Sequence, residues 1–147
     1  MKKFIIAFTT AVTLISTSAF AGGKEKINPA APTFEKEFKG AEDVKWNESR
    51  DAITASFVLN SFRVEAYFSY SGELIGTARN ILFNQLPLAA IKEINNRFGS
   101  NAVYEITEYT SGSDTFYDMT VELSTKKLKV RVTPTGEVSV LRKIKNR

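Results

Sequence analysis

The chain has 147 residues and contains neither cysteine nor histidine, which excludes disulfides, thiolate nucleophiles, cysteine-based zinc sites and every Ser-His-Asp arrangement. Its formal charge is +4, but Lys2 and Lys3 supply half of that excess; without them basic residues barely outnumber acidic ones, which is no nucleic-acid footprint. Any catalysis would rest on carboxylates, lysines, tyrosines and serines, and no cofactor is expected.

The N-terminus reads as an export signal. Lys2 and Lys3 precede an apolar run, residues 4–15, broken only by threonines, and Ala19-Phe20-Ala21 supplies an A-x-A cleavage pattern. The run is shorter than the roughly 20 residues that span a bilayer. The expectation is a periplasmic or secreted chain cut near Ala21, with residues 22–31 as a flexible leader. Downstream of Ala21 the chain is long enough for one compact domain or two tightly joined halves.

A short helix is expected from Pro32 or Thr33, with Phe34 and Phe38 on one face and Gly40 at its end. Strands follow at 44–47, 52–60, 62–70 and 73–81. Pro87 opens a second helix, in which Leu88, Ile91, Ile94 and Phe98 form an apolar stripe closed by Gly99. Strands are then expected at 103–109, 115–124, 126–133 and 137–145. Period-two alternation is clean in several of them: Ile53, Ala55, Phe57 and Leu59 point one way and Thr54, Ser56 and Val58 the other. Turn residues separate them at Asn60-Ser61, Ser71-Gly72, Ser111-Gly112-Ser113 and Pro134-Thr135-Gly136.

The chain also repeats itself. Residues 53–81 shifted by 64 positions fall on 117–145 without a gap: Ile53 on Tyr117, Phe57 on Val121, Ala66 on Val130, Gly72 on Gly136. Upstream the offset is 60, with Phe34 on Ile94 and Trp46 on Ile106. The expected fold class is therefore α+β: two tandem helix-plus-four-stranded antiparallel meander units, 32–83 and 84–147, forming a curved sheet with helices on one face. The other face would be polar, open and short of deep pockets.

The segments Phe38-Lys39-Gly40-Ala41-Glu42-Asp43-Val44-Lys45-Trp46, Val64-Glu65-Ala66-Tyr67-Phe68 and Gly72-Glu73-Leu74-Ile75-Gly76-Thr77, with Leu86-Pro87 after them, resemble the PepSY-like, β-lactamase-inhibitor-like periplasmic proteins. That family often has Asp beside the hairpin glycine, where this chain has Ser71 and Thr135. The resemblance implies a non-catalytic protein-binding module, related domains being associated with inhibition of proteases or β-lactamases. It carries over no inhibitory residue, because the family has no agreed inhibitory motif.

The candidate partner-binding residues come from the chain itself. Tyr67 lies on the polar side of its strand beside Arg63 and Glu65, an aromatic flanked by opposite charges. Lys127, Lys129 and Arg131 share one strand face and suit an acidic partner, anionic lipid or a polyanion, although Glu105, Glu108, Asp114, Asp118 and Glu122 stand ready to pair with them. The loop 109–116 is longer than its counterpart and flanked by Tyr109, Phe116 and Tyr117, which makes it the first candidate to enter a partner's groove. Trp46, aligned with Ile106, is expected in the core. Glu42-Asp43 and the pair Glu35 and Glu37 sit at helix ends and supply no cleft for glycosidase chemistry; no Asp-rich calcium loop occurs. The leading expectation is an exported protein binder, with inhibition of an envelope hydrolase as its specific form. The alternative is a lipid or polyanion binder using the basic strand. A carboxylate or Ser/Lys hydrolase ranks last.

Overall fold

The computed structural model describes residues 27–145; the export signal, the cleavage point at Ala21 and leader residues 22–26 lie outside them. Helix α1 spans Ala31–Glu37 and is followed by β1 Glu42–Glu48, β2 Ile53–Leu59, β3 Phe62–Phe68 and β4 Leu74–Asn80. A single 3-10 turn at Phe83–Gln85 leads into α2, Leu88–Phe98, and then β5 Ala102–Ser111, β6 Asp114–Glu122, β7 Lys126–Val132 and β8 Val138–Lys145. Both helices and all eight strands lie within about two residues of the periodicity-based expectation.

Their assembly corrects the expected fold class. The strands form one eight-stranded antiparallel sheet in chain order β1 to β8, a single meander rather than two tandem helix-plus-four-strand units composing a curved sheet. The reason lies at β4 and β5, which pair directly through Thr77 with Thr110, Ala78 with Tyr109, Arg79 with Glu108 and Asn80 with Thr107. Backbone groups of β4 that a separate unit would leave as an open edge are satisfied by β5. Helix α2 is thus an excursion within the β4–β5 connection.

Alternation sends one side chain of each pair toward the helices. There Ala30, Phe34, Ile53, Ala55, Phe57, Val64, Ala66 and Phe68 form one buried cluster. Ile81, Leu86, Ala90, Ile94, Ile106, Tyr117, Met119, Val121, Leu128, Val130 and Val132 form another. Phe34 enters the first edge-on to Phe57, with ring centroids 4.9 Å apart at 88°, and Phe38 lies 4.9 Å from the same ring. Such aromatic pairs add about 1 kcal/mol beyond area burial. From α2, Ala90 and Ile94 supply the buried contacts.

The repeated glycines have a packing reason. Gly72 has φ +87° and a Cβ there would lie 2.1 Å from the Pro29 carbonyl oxygen; at Gly136, φ +94°, it would lie 3.0 Å from that of Ala89. Each hairpin tip therefore presses against the start of a helix, and Thr33 Oγ1 donates to the Gly72 carbonyl at 2.6 Å. The β2–β3 turn carries positive φ at both Asn60 and Ser61, the type I′ signature that matches strand twist. Bulges in β1 and β5 hold Asp43 and Glu105 at φ near +50°.

Gly40 and Gly72 separate backbone strain from close approach, because Gly40 has φ +82° with nothing within 4 Å of the place a Cβ would occupy. Gly40→Ala is expected to cost about 1 kcal/mol. Gly72→Ala is expected to cost ~2 kcal/mol more, from overlap with the Pro29 carbonyl. Urea unfolding midpoints of the two variants give the comparison; equal losses would remove the packing explanation.

Candidate functional site

Residues directly opposite in an antiparallel pair share a face, so the strand registers define the side of the sheet away from the helices. Arg63, Glu65 and Tyr67 of β3 stand opposite Val58, Ser56 and Thr54 of β2. On the other side Glu65 meets Ala78 and Tyr67 meets Gly76. Ala78 meets Tyr109, Tyr109 meets Phe116, and Asp118 meets Arg131. One band thus crosses the middle of the open face from β3 to β7.

The band is aromatic at its centre. Tyr109 and Phe116 stack with centroids 5.1 Å apart and planes 21° from parallel. The Arg131 guanidinium lies 3.7 Å above the Phe116 ring centre, a cation–π contact. The same guanidinium donates to both Asp118 carboxylate oxygens at 2.7 and 2.8 Å. Tyr67 donates its phenol to Glu65 at 2.7 Å. Burial first, and then that hydrogen bond, push its pKa well above the ordinary tyrosine range. Tyr67, Tyr109 and Phe116 are all half-buried and surround a notch of about 140 Å³ over Gly76. The notch exists because Gly76 bears no side chain, and a Cβ there would sit 2.5 Å from the Thr110 carbonyl oxygen. A second hollow of about 170 Å³, between Arg63, Glu65, Asn80, Thr107 and Tyr109, adjoins it.

The basic residues are matched one for one. Lys127 Nζ lies 3.4 Å from Glu122 and over the Tyr104 ring. Lys129 donates to Glu105 at 2.8 Å, and Arg131 holds Asp118. The hydrogen bond from Lys129, aided by Thr120, keeps the Glu105 carboxyl below the usual range. Thr120 is the buried polar residue of this face, 3% exposed, and its hydroxyl is satisfied by that contact. As exposed pairs these contribute little stability each, but they leave the stripe nearly neutral.

Arg63, Glu65, Tyr67, Tyr109, Phe116, Lys127, Lys129 and Arg131 therefore all lie on one face. Tyr117 does not. It is 5% exposed and sits among the core residues on the helix side, where burial and then Glu108 raise its pKa, next to an Arg79–Glu108 pair at 2.6 Å. The expected long loop 109–116 is also corrected. Strands β5 and β6 continue to Ser111 and Asp114, leaving only Gly112 and Ser113 as the turn. Cross-strand stacking of Tyr109 on Phe116 is what extends the hairpin, and it turns two loop candidates into members of the face. Trp46 is not in the core but 38% exposed, its ring edge-on to Phe34 at 5.2 Å. The notch at Gly76 and Ala78 escaped sequence reading, although a glycine inside a strand pattern is a signal of close backbone approach.

Among the described residues, no group of three or more acidic side chains is placed to hold a metal ion. No protein-family model matches the chain, and no curated protein matches it in sequence. Solved structures do. A BLIP-like protein from Bacteroides fragilis superposes with a TM-score of 0.72 at 17% identity, covering 86% of this chain and 92% of that one. A DUF2874 family protein from Bacteroides ovatus gives 0.71 at 18% identity, over 84% and 89%. A protein from Bacteroides eggerthii, provisionally assigned to the periplasm, gives 0.70 at 19% identity, over 81% and 88%. The chain has a BLIP-like fold.

The tyrosine environments give a measurable consequence. Of the five tyrosines, Tyr67 and Tyr117 have raised pKa values, so they are expected to ionise last in an ultraviolet tyrosinate titration. Because the folded values are raised, their stabilising effect is complete below about pH 10 and is lost as pH climbs beyond it. Tyr67→Phe should remove the highest component of the titration. An unchanged high-pH component in that variant contradicts the assignment.

Proposed function

We propose that the protein is exported and acts as a non-catalytic protein-binding module. Its open sheet face docks on an envelope protein, and the specific form of this reading is occlusion of a hydrolase active site. The observation that carries it is the band Tyr67–Tyr109–Phe116–Arg131, an aromatic and arginine surface with a preformed notch on a face that neither helix of the described residues covers. Aromatic and arginine side chains dominate the energetic centres of protein interfaces, and here they are held in place before any partner arrives. Less ordering entropy is then lost on binding. Arg63 and Glu65 form the charged rim beside the band, with Lys127 and Lys129 at its far end.

The N-terminal signal pattern and the resemblance in fold to a BLIP-like protein and to one provisionally assigned to the periplasm support the same reading. The alternative, a lipid or polyanion surface built on Lys127, Lys129 and Arg131, draws little support from the geometry. Each of these cations already faces a carboxylate, so the stripe offers almost no excess charge to an anionic surface.

The test is a cross-linked pull-down from periplasmic extract, followed by assays of retained hydrolases and of a panel of β-lactamases and envelope proteases. Tyr67→Ala combined with Phe116→Ala is expected to weaken binding by about 30-fold or more, as loss of central interface residues does. Lys127→Gln should change affinity less than about fivefold, as rim charges do. Retention that survives the aromatic double variant, with its circular dichroism unaltered, moves the interface off this face. Retention of anionic vesicles alone, abolished by salt, replaces the reading with the lipid one.

A further inference from the structure

Strand β4 is bare where it crosses the middle of the open face. Gly76 stands opposite Tyr67 of β3, and Ala78 stands between Glu65 of β3 and Tyr109 of β5. Asn80, two residues further along, shares their face and pairs with Thr107. The hollows of about 140 and 170 Å³ have Tyr109 as a common wall, so together they make one trench that follows β4. We infer that this trench receives an extended segment of the partner carrying an acidic side chain and an apolar side chain an even number of residues apart. The inference rests on the docking reading above and names the chemistry of what docks.

The two ends of the trench ask for different groups. Over Gly76 it is lined by Tyr67, Ile75, Tyr109 and Phe116, a surface from which an apolar side chain displaces water favourably. At the Asn80 end stands Arg63. Lys127, Lys129 and Arg131 each face a carboxylate, whereas Arg63 makes no ion pair or hydrogen bond among the described residues. Asn80 accepts the Thr107 hydroxyl through Oδ1 at 3.1 Å, which leaves its NH₂ to donate. A guanidinium and a carboxamide NH₂ at one end of a groove suit a carboxylate.

Glu65 fixes which end takes the acid. Its carboxylate is turned along β3 toward the notch, where it accepts the Tyr67 phenol. An acidic side chain seated over Gly76 meets that charge and is repelled, while one seated at Arg63 is attracted. The trench also sets the spacing. From Gly76 to Asn80 an extended strand rises about 13 Å, and residues two or four apart on such a strand point to the same face. A segment laid along β4 therefore fills both ends with side chains two or four residues apart. Side chains three apart point to opposite faces, and one of them is left in water.

The probes are short fluorescein-labelled peptides of threonine and serine, each with one Asp and one Leu at a spacing of two, three or four, read by anisotropy against the purified protein. At least one peptide of even spacing is expected to bind saturably, with a Kd on the order of 1 mM or below, and about fivefold or more tighter than the peptide of spacing three. Arg63→Gln, at an exposed position, should weaken that peptide by about tenfold and leave its Asn counterpart unchanged, as loss of one charged contact does. Equal binding of the Asp and Asn peptides overturns the inference, and so does the absence of saturable binding at both even spacings. In the pull-down, Arg63→Gln should lower retention. Retention that Tyr67→Ala with Phe116→Ala abolishes but Arg63→Gln leaves intact overturns the acidic segment and spares the docking face. The expected peptide pattern beside retention that survives the aromatic double variant does the reverse, keeping the trench as a peptide site and removing the docking reading.

Discussion

An eight-stranded sheet has two faces to account for, and the described residues carry only two short α-helices, of seven and eleven residues, with which to cover one of them. That shortage governs the rest of the structure. The covered face must concentrate the apolar side chains, and it does so in two clusters, one beneath each helix. The uncovered face must satisfy its polar groups by itself, through cross-strand pairs such as Arg131 with Asp118 and Lys129 with Glu105. No buried side-chain polar atom among the described residues lacks a partner. What remains on that face after this internal pairing is its aromatic centre, the part on which the proposed partner would dock.

The helices can lie close enough to do their work only because the sheet yields at particular points. Gly72 and Gly136 let the hairpin tips meet the helix starts, and the bulges at Asp43 and Glu105 bend β1 and β5 where continuous pairing would be straighter. At Glu105 the bulge has a second effect. It accompanies a carboxylate that reaches both Thr120 and Lys129, so the same irregularity that shapes the backbone also closes the polar network of the open face.

Much of the local structure was legible because alternation and turn residues are local signals. The side of the sheet occupied by Arg63, Glu65 and Tyr67 followed from alternation alone. Tyr117 could have been placed too, since the 64-residue offset sets it on Ile53, a core position; its neighbours Tyr109 and Phe116 masked that parity. Trp46 was harder. Its counterpart Ile106 is enclosed because β5 has strands on both sides, whereas β1 ends the sheet and leaves its side chains open to water. Neighbourhood in the sheet is a tertiary property that no window of sequence contains. The same holds for the β4–β5 pairing, which merges what the repeat suggested were two separate units.

Strand β6 shows what strict alternation permits. Met119 and Val121 are wholly buried, while Phe116, Asp118 and Glu122 between and beside them belong to the open face. The positions that hold the fold together and the positions that make up the open face are interleaved in sequence yet separated by the thickness of a backbone. Substitutions on one set need not disturb the packing of the other. Such a scaffold can exchange the side chains of its open face residue by residue while its architecture persists, which is consistent with structural agreement at 17–19% identity.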